Sequence, residues 1–191
     1  GFARRMLQAK GNPFKISLTG DLQQAVAGAS YVITQLRVGQ MPARREDEYL
    51  GKRHGLIGQE TTGIGGMAKA LRTIPVILEI AAHMRAEAPQ ALLVNFTNPS
   101  GLVTEALQHH APNIQSVGVC NSALTTKMAI LDQLTRLTGE TIAPERAVIK
   151  NLGLNHLTWY TDFLIDGHSI WDVVVKAYVD QLQQQADPEF D

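Results

Sequence analysis

ALLVNFTNPSGLVTEALQHHAPNIQSVGVCN, residues 91–121, decides the fold. Ala91-Leu92-Leu93-Val94-Asn95 is an apolar run that reads as a strand. Asn95-Phe96-Thr97-Asn98-Pro99-Ser100-Gly101 makes a sharp exit from it, and Asn98 is steered toward an extended backbone by Pro99. Gly101 to His110 reads as a helix, and Ser116 to Cys120 as the next strand. Strand, helix and strand at this spacing specify a right-handed βαβ unit and a parallel sheet.

Working upstream, residues 3–10 read as the end of a helix stopped by Gly11-Asn12-Pro13. Lys15 to Thr19 alternates like a strand. Asp21 can cap a short helix over 22–28 that Gly28 ends. Tyr31 to Leu36 is rich in β-branched residues and is expected to be a strand buried on both faces. Arg37 to Arg53 is polar, a loop plus an exposed helix. Residues 54–66 are glycine-rich, and 67–88 form a long helical pattern in which Pro75 should start a new segment or introduce a kink. Downstream, 123–138 is a helix ended by Gly139. Ala147 to Leu152 and Thr158 to Ile165 are strands, with a hairpin-type turn at Asp166-Gly167. Residues 171–185 are helical, and Gln181 to Asp191 has the composition of a solvated tail.

The 191 residues are 45% hydrophobic and 18% charged, with net charge −1. That is a globular composition. It has no basic excess for nucleic acid, and no apolar run of the roughly 18 residues that suggest a membrane span. No signal peptide is evident, and a single cysteine fits a reducing, cytoplasmic setting.

In parallel sheets, ligands bind beyond the carboxyl ends of the strands. Gln35 and Arg37 follow one strand, Asn95 and Asn98 the next, Cys120 and Asn121 the last, so these residues should line one crevice. The Asn98 amide can both donate and accept toward a sugar hydroxyl. Gly63-Ile64-Gly65-Gly66-Met67-Ala68 matches G-x-G-x-x-A, but Gly58 to Thr62 precedes it where a dinucleotide fingerprint needs a strand. A loop at a helix N-terminus facing the site, or a plain surface loop, is the better reading. Cys120 and His156 could ligate a divalent metal through sulfur and imidazole nitrogen. A packed cysteine and a hydrogen-bonded histidine is the commoner outcome for a pair without local metal spacing. Arg44, within Arg44 to Glu48, is either on a solvated helix face or a bidentate anion ligand. Glu60, among glycines and threonines, could tune a nearby base.

As an ordered set these segments resemble glycoside hydrolase family 4, the NAD- and metal-dependent glycosidases. The set comprises Thr34 to Gly39, Ile57 to Thr61, Gly63 to Gly66, Arg72 to Pro75, Asn95 to Pro99, Val117 to Asn121 and Gly153 to His156. Phe96 to Pro99 and Cys120-Asn121 look like its 6-phospho-β-glucosidase branch. The resemblance implies an α/β fold: a Rossmann-like, mainly parallel NAD-binding domain over 1–145 without its first strands. The start of an α+β catalytic domain follows over 146–191. It implies hydride transfer from C3 of the sugar to NAD+, loss of the C2 proton, a metal-stabilised enediolate, and elimination of the C1 substituent. Such enzymes depart from the two-carboxylate scheme of most glycosidases.

By motif, Cys120 and His156 match the metal ligands, with Mn2+ the usual ion. Arg44, Asn98 and Asn121 match substrate-contacting positions. Gln35, Arg37 and Asn95, placed in the crevice by the strand ends, are the residues expected at the cofactor. Glu60 matches the residue that raises the basicity of a catalytic tyrosine. That tyrosine and the first glycine-rich turn have no counterpart in this sequence, so it is expected to be an internal piece of a longer protein, inactive by itself. The expected substrate is a phosphorylated disaccharide or β-glucoside, and the expected assembly a homo-oligomer. Two rivals are a lactate/malate-type 2-hydroxyacid dehydrogenase, which has no use for Cys120, and a truncated, non-catalytic sugar-phosphate-binding paralogue.

Overall fold

The computed structural model describes residues 1–154 and 156–184. Helix α1 (Phe2–Ala9) is followed by Gly11 and Asn12, both at positive φ. Helix α2 (Leu22–Val26) starts at Asp21, whose carboxylate accepts from the Gln24 N–H at 3.1 Å. Strand β1 (Tyr31–Thr34) leads into α3 (Gln40–Arg53) and α4 (Gly63–Glu87). Strand β2 (Leu92–Asn95), α5 (Ser100–His110) and β3 (Ser116–Gly118) complete the βαβ unit read from residues 91–121. The three strands are parallel, in the order β1-β2-β3. Their register sets Thr34 beside Asn95 and Asn95 beside Gly118. All three therefore end at one level, and the loops that follow share one edge.

The first core lies against one face of this sheet. Val26 from α2, Ile77, Ile80, Ala81 and Met84 from α4, and Val103 and Leu107 from α5 cluster around Leu93. Burial of each such side chain contributes on the order of 1.5–3 kcal/mol. Strand β1 departs from the expectation of burial on both faces. Side chains alternate along a strand, so Thr34 is buried while Tyr31 and Ile33, on the opposite face, are 69% and 70% exposed.

Two further expectations are corrected. Lys15 to Thr19 forms no strand, because its alternating side chains find no ladder partner and Leu18 is left 93% exposed. Pro75 neither ends nor restarts a helix: α4 runs through it for 25 residues. Proline removes one hydrogen bond there, but the buried stripe of Ala70, Ile77, Ile80, Ala81 and Met84 continues on both sides of it.

Helix α6 (Ser122–Thr138) ends at Gly139, φ 75, as read from the sequence. After a short 3-10 turn over Pro144–Arg146 comes an antiparallel sheet of β4 (Ala147–Leu154), β5 (Leu157–Ile165) and β6 (His168–Ser169). The β5–β6 turn places Asp166 and Gly167 at positive φ. Helix α7 (Trp171–Gln184) follows. A second core gathers Leu131 and Leu134 of α6, Ala147, Phe163 and Val174. Of the tail read as solvated, residues 185–191 lie outside the described part. No helix among the described residues is long and apolar enough to cross a membrane.

Candidate functional site

Glu60 is the centre of the site. It lies in the loop between α3 and α4, and that loop is pressed onto the start of α4. A Cβ at Gly65 would overlap the carbonyl oxygens of Gln59 and Asp47, and one at Gly66 would overlap that of Thr61. Gly65, the second glycine of the G-x-G-x-x-A match, and its neighbour Gly66 thus permit close approach of the 59–61 segment. This is a packing role, in line with reading the match as something other than a pyrophosphate turn.

Three cations converge on Glu60 from three segments. Arg37, just after β1, donates from Nη1 to Oε1 at 2.6 Å. Lys69, nearly two turns into α4, pairs with the same oxygen. Arg44 of α3 brings Nη1 to 3.6 Å from Oε2 and bonds Glu48 through Nε at 2.8 Å. Burial pushes the Glu60 carboxyl upward, but Lys69, Arg37 and Arg44 together outweigh it and hold the group below the ordinary carboxylate value. The Glu48 hydrogen bond, against partial burial, raises Arg44 above its usual value. Glu60, Arg44 and Glu48 line a cavity of about 260 Å³ together with Gln59, Thr61 and His156.

Helix α3 is not the fully solvated face that Arg44 to Glu48 alone suggested. Asp47 is buried, and Arg72 of α4 grips it with Nη1 and Nη2 at 3.1 and 2.6 Å. Arg72 also donates from Nε to the Val38 carbonyl at 2.9 Å. This clamp fixes the start and the middle of α3 against α4, and so positions Arg44.

The strand ends are organised by Asn95. Its side chain is fully buried, with Oδ1 accepting from Thr34 Oγ1 at 2.8 Å and from the Thr97 N–H at 3.1 Å. Its Nδ2 donates to the Thr97 carbonyl at 3.1 Å. Thr97 Oγ1 in turn accepts from the Leu36 N–H at 2.9 Å. The amide of Asn95, expected at the cofactor crevice, is spent on the neighbouring loops, which it holds in place. Gln35 is exposed at the same edge, and Asn98 is half-buried before a cis Asn98–Pro99 peptide bond. Exposed Gln35 beyond level strand ends suits a dinucleotide crevice.

Cys120 is exposed just past β3, so its alternative as a packed core residue falls. Its Sγ is 2.9 Å from Ser122 Oγ and accepts from the Ser122 N–H at 3.4 Å. Asn121, also exposed, is the N-cap position of α6. His156 sits in the turn between β4 and β5 at φ 56. Thiol and imidazole suit a borderline divalent ion, so the chemistry of these two donors fits such a metal. No group of three or more His, Cys, Asp or Glu side chains placed to hold one occurs among the described residues.

The structure thus brings Arg37, Arg44, Glu60 and His156 together. Asn98, Cys120 and Asn121 stand at the strand ends and do not line that cavity. Lys69, Asp47 and Arg72 were not singled out from the sequence. The signal for Lys69 was present: it falls on the stripe of α4 occupied by Gly66, Ala70, Thr73 and Ile77, where a lysine is out of place unless paired.

A family profile described as Family 4 glycosyl hydrolase matches residues 1–136. A probable 6-phospho-beta-glucosidase of Bacillus subtilis (strain 168) is 43% identical over 178 residues, 93% of this chain and 39% of that protein. A structure of the Thermotoga maritima 6-phospho-beta glucosidase with manganese, NAD+ and glucose-6-phosphate superposes with TM-score 0.79 at 32% identity. It covers 93% of this chain and 41% of that one. A lactate dehydrogenase from Eimeria maxima with NADH and oxamate, at 14% identity and TM-score 0.54, covers 91% of this chain and 48% of that one. It shares the fold alone. The chain spans about two fifths of the length of the glucosidases it matches.

Proposed function

The chain belongs to the family 4 glycosyl hydrolases, and from that premise we propose that its protein cleaves 6-phospho-β-glucosides with NAD+ and a divalent metal, Mn2+ foremost. The observation that carries the proposal is the convergence of Arg44, Glu60 and His156, from three separate segments, on one cavity. The 43% identity to a probable 6-phospho-beta-glucosidase supports the β branch.

When bound, NAD+ supplies a hydride acceptor and the metal a Lewis acid. The residues of this chain bind and orient. Cys120 and His156 would hold the metal, with Ser122 fixing the thiol through two contacts. Arg44 presents a guanidinium at the cavity wall, suited to an anionic substrate. Asn98 and Asn121 offer amides to sugar hydroxyls, and Gln35 and Arg37 stand at the cofactor edge. Glu60 would supply a fixed carboxylate that tunes a base. Tyr160 is not assigned as that base, since its hydroxyl lies 2.9 Å from Thr126 Oγ1 and is taken up there.

Residues 1–145 are proposed as the cofactor-binding part and 146–191 as the start of the substrate domain. A cytoplasmic homo-oligomer completes the proposal. The purified full-length protein should cleave a 6-phospho-β-glucoside only when NAD+ and Mn2+ are both present. Cleavage that survives both EDTA and Cys120→Ser would sink it.

A further inference from the structure

Lys69 is a buried ammonium with one charged partner among the described residues. Only 3% of its side chain is exposed, and that partner is Glu60. Taking an ammonium out of water costs several kcal/mol unless it is well paired. An uncharged residue of similar volume would fill this place on α4 more cheaply if packing were its whole purpose. Glu60 itself already has Arg37 at 2.6 Å and Arg44 at 3.6 Å. The third cation is therefore not needed to neutralise it. Counting Glu48, which also lines the cavity, the cluster holds Arg37, Arg44 and Lys69 against Glu48 and Glu60, a surplus of one positive charge. His156 is the other titratable group facing the cavity.

We infer that Lys69 is a positioning residue: from beneath, it anchors the Glu60 carboxylate, and through Glu60 it holds Arg44 in the cavity wall that receives the anionic part of the substrate. This rests on the proposed phosphoglucosidase reading. The Lys69 ammonium does not touch substrate. It lets Glu60 serve two arginines without drifting into the cavity, and the Glu60 charge is offset by its neighbours instead of acting on a base alone.

The test uses the full-length protein and the variants K69M, K69Q, E60Q and K69M/E60Q. Hydrolysis of a 6-phospho-β-glucoside is followed against pH, and binding of glucose 6-phosphate by calorimetry. K69M should raise KM and weaken glucose 6-phosphate by about tenfold, the scale of a disturbed charge contact, with kcat changed less. Its acid limb should move to higher pH, because Glu60 loses a cation. K69Q, which keeps a donor for Glu60, should recover part of the affinity, and K69M/E60Q should be no worse than E60Q alone. Glu60 keeps Arg37 in K69M, so the fold should survive; should it not, K69Q carries the same comparison. Unchanged KM and acid limb with only a lower melting temperature would make Lys69 a brace of the fold and overturn the inference. A wild-type protein that neither cleaves the glucoside nor binds glucose 6-phosphate would instead remove the functional reading itself, and the inference with it.

Discussion

Arg72 and Asp47 form a two-point clamp between α4 and α3, with the carboxylate buried and the guanidinium partly open to solvent. The geometry is planar and bidentate, which a lysine cannot reproduce. Removing the arginine strands a buried charge. Arg72→Met should therefore destabilise the protein by about 3 kcal/mol or more, read as a lower urea midpoint with an unchanged slope. Arg72→Lys should recover only part of the loss. An R72M variant as stable as wild type would mean that Asp47 finds water or another cation.

Glu60 makes stability depend on acid pH. Burial raises its carboxyl, but Lys69, Arg37 and Arg44 lower it further, so its folded value lies below the unfolded one. The stabilisation is then complete above the unfolded value of about 4.3 and is lost as pH falls through the folded value. Melting temperatures from pH 3 to 7 should show a steeper acid decline for wild type than for Glu60→Gln. Parallel curves would show that the three cations do not hold this carboxylate as drawn.

Gly65→Ala should damage the site through packing. The added methyl meets the carbonyls of Gln59 and Asp47, so the 59–61 segment must lift away from α4 and carry Glu60 with it. Overpacking of this kind costs about 1–3 kcal/mol. The variant should lose kcat/KM against a 6-phospho-β-glucoside by more than Gly101→Ala, where a methyl meets only open space. Equal losses in the two variants would separate the glycine from the placement of Glu60.

The Cys120 thiol is exposed and should react with a thiol reagent without unfolding. Mn2+ should slow that reaction, and EDTA should restore it. Cys120→Ser should leave the melting temperature nearly unchanged, since no core packing is lost, while Mn2+-dependent turnover falls. Thiol reactivity indifferent to Mn2+ would remove Cys120 from the metal site.

The fold was most legible where apolar runs, caps and breakers agreed. Residues 91–121 gave strand, helix and strand because their periodicity switches at Asn98-Pro99 and again near Asn113. Lys15 to Thr19 misled because alternation shows that a strand could form, while pairing depends on a neighbour elsewhere in the fold. At Pro75 no new segment starts, because tertiary burial of Ile77, Ile80 and Met84 outweighs one missing hydrogen bond.

In the site, residue types at strand ends pointed to Cys120, Asn121 and Asn98 as accessible groups. Asn95 has the same chemistry in the sequence, but only the register shows its amide turned inward to Thr34 and Thr97. The partners of Glu60 come from positions 37, 44 and 69, a set that no local spacing encodes.

His156 turns the chain between β4 and β5 with a left-handed backbone, φ 56. L-residues with branched or bulky side chains resist that conformation, whereas asparagine and glycine enter it readily. Under the proposed metal site, one position would carry two separable duties, a hinge shape and a ring nitrogen. His156→Asn or His156→Gly would silence the nitrogen and spare the bend, while His156→Val would break the bend as well. A survey of this position that used only alanine or valine would mistake a misshapen hairpin for a lost ligand.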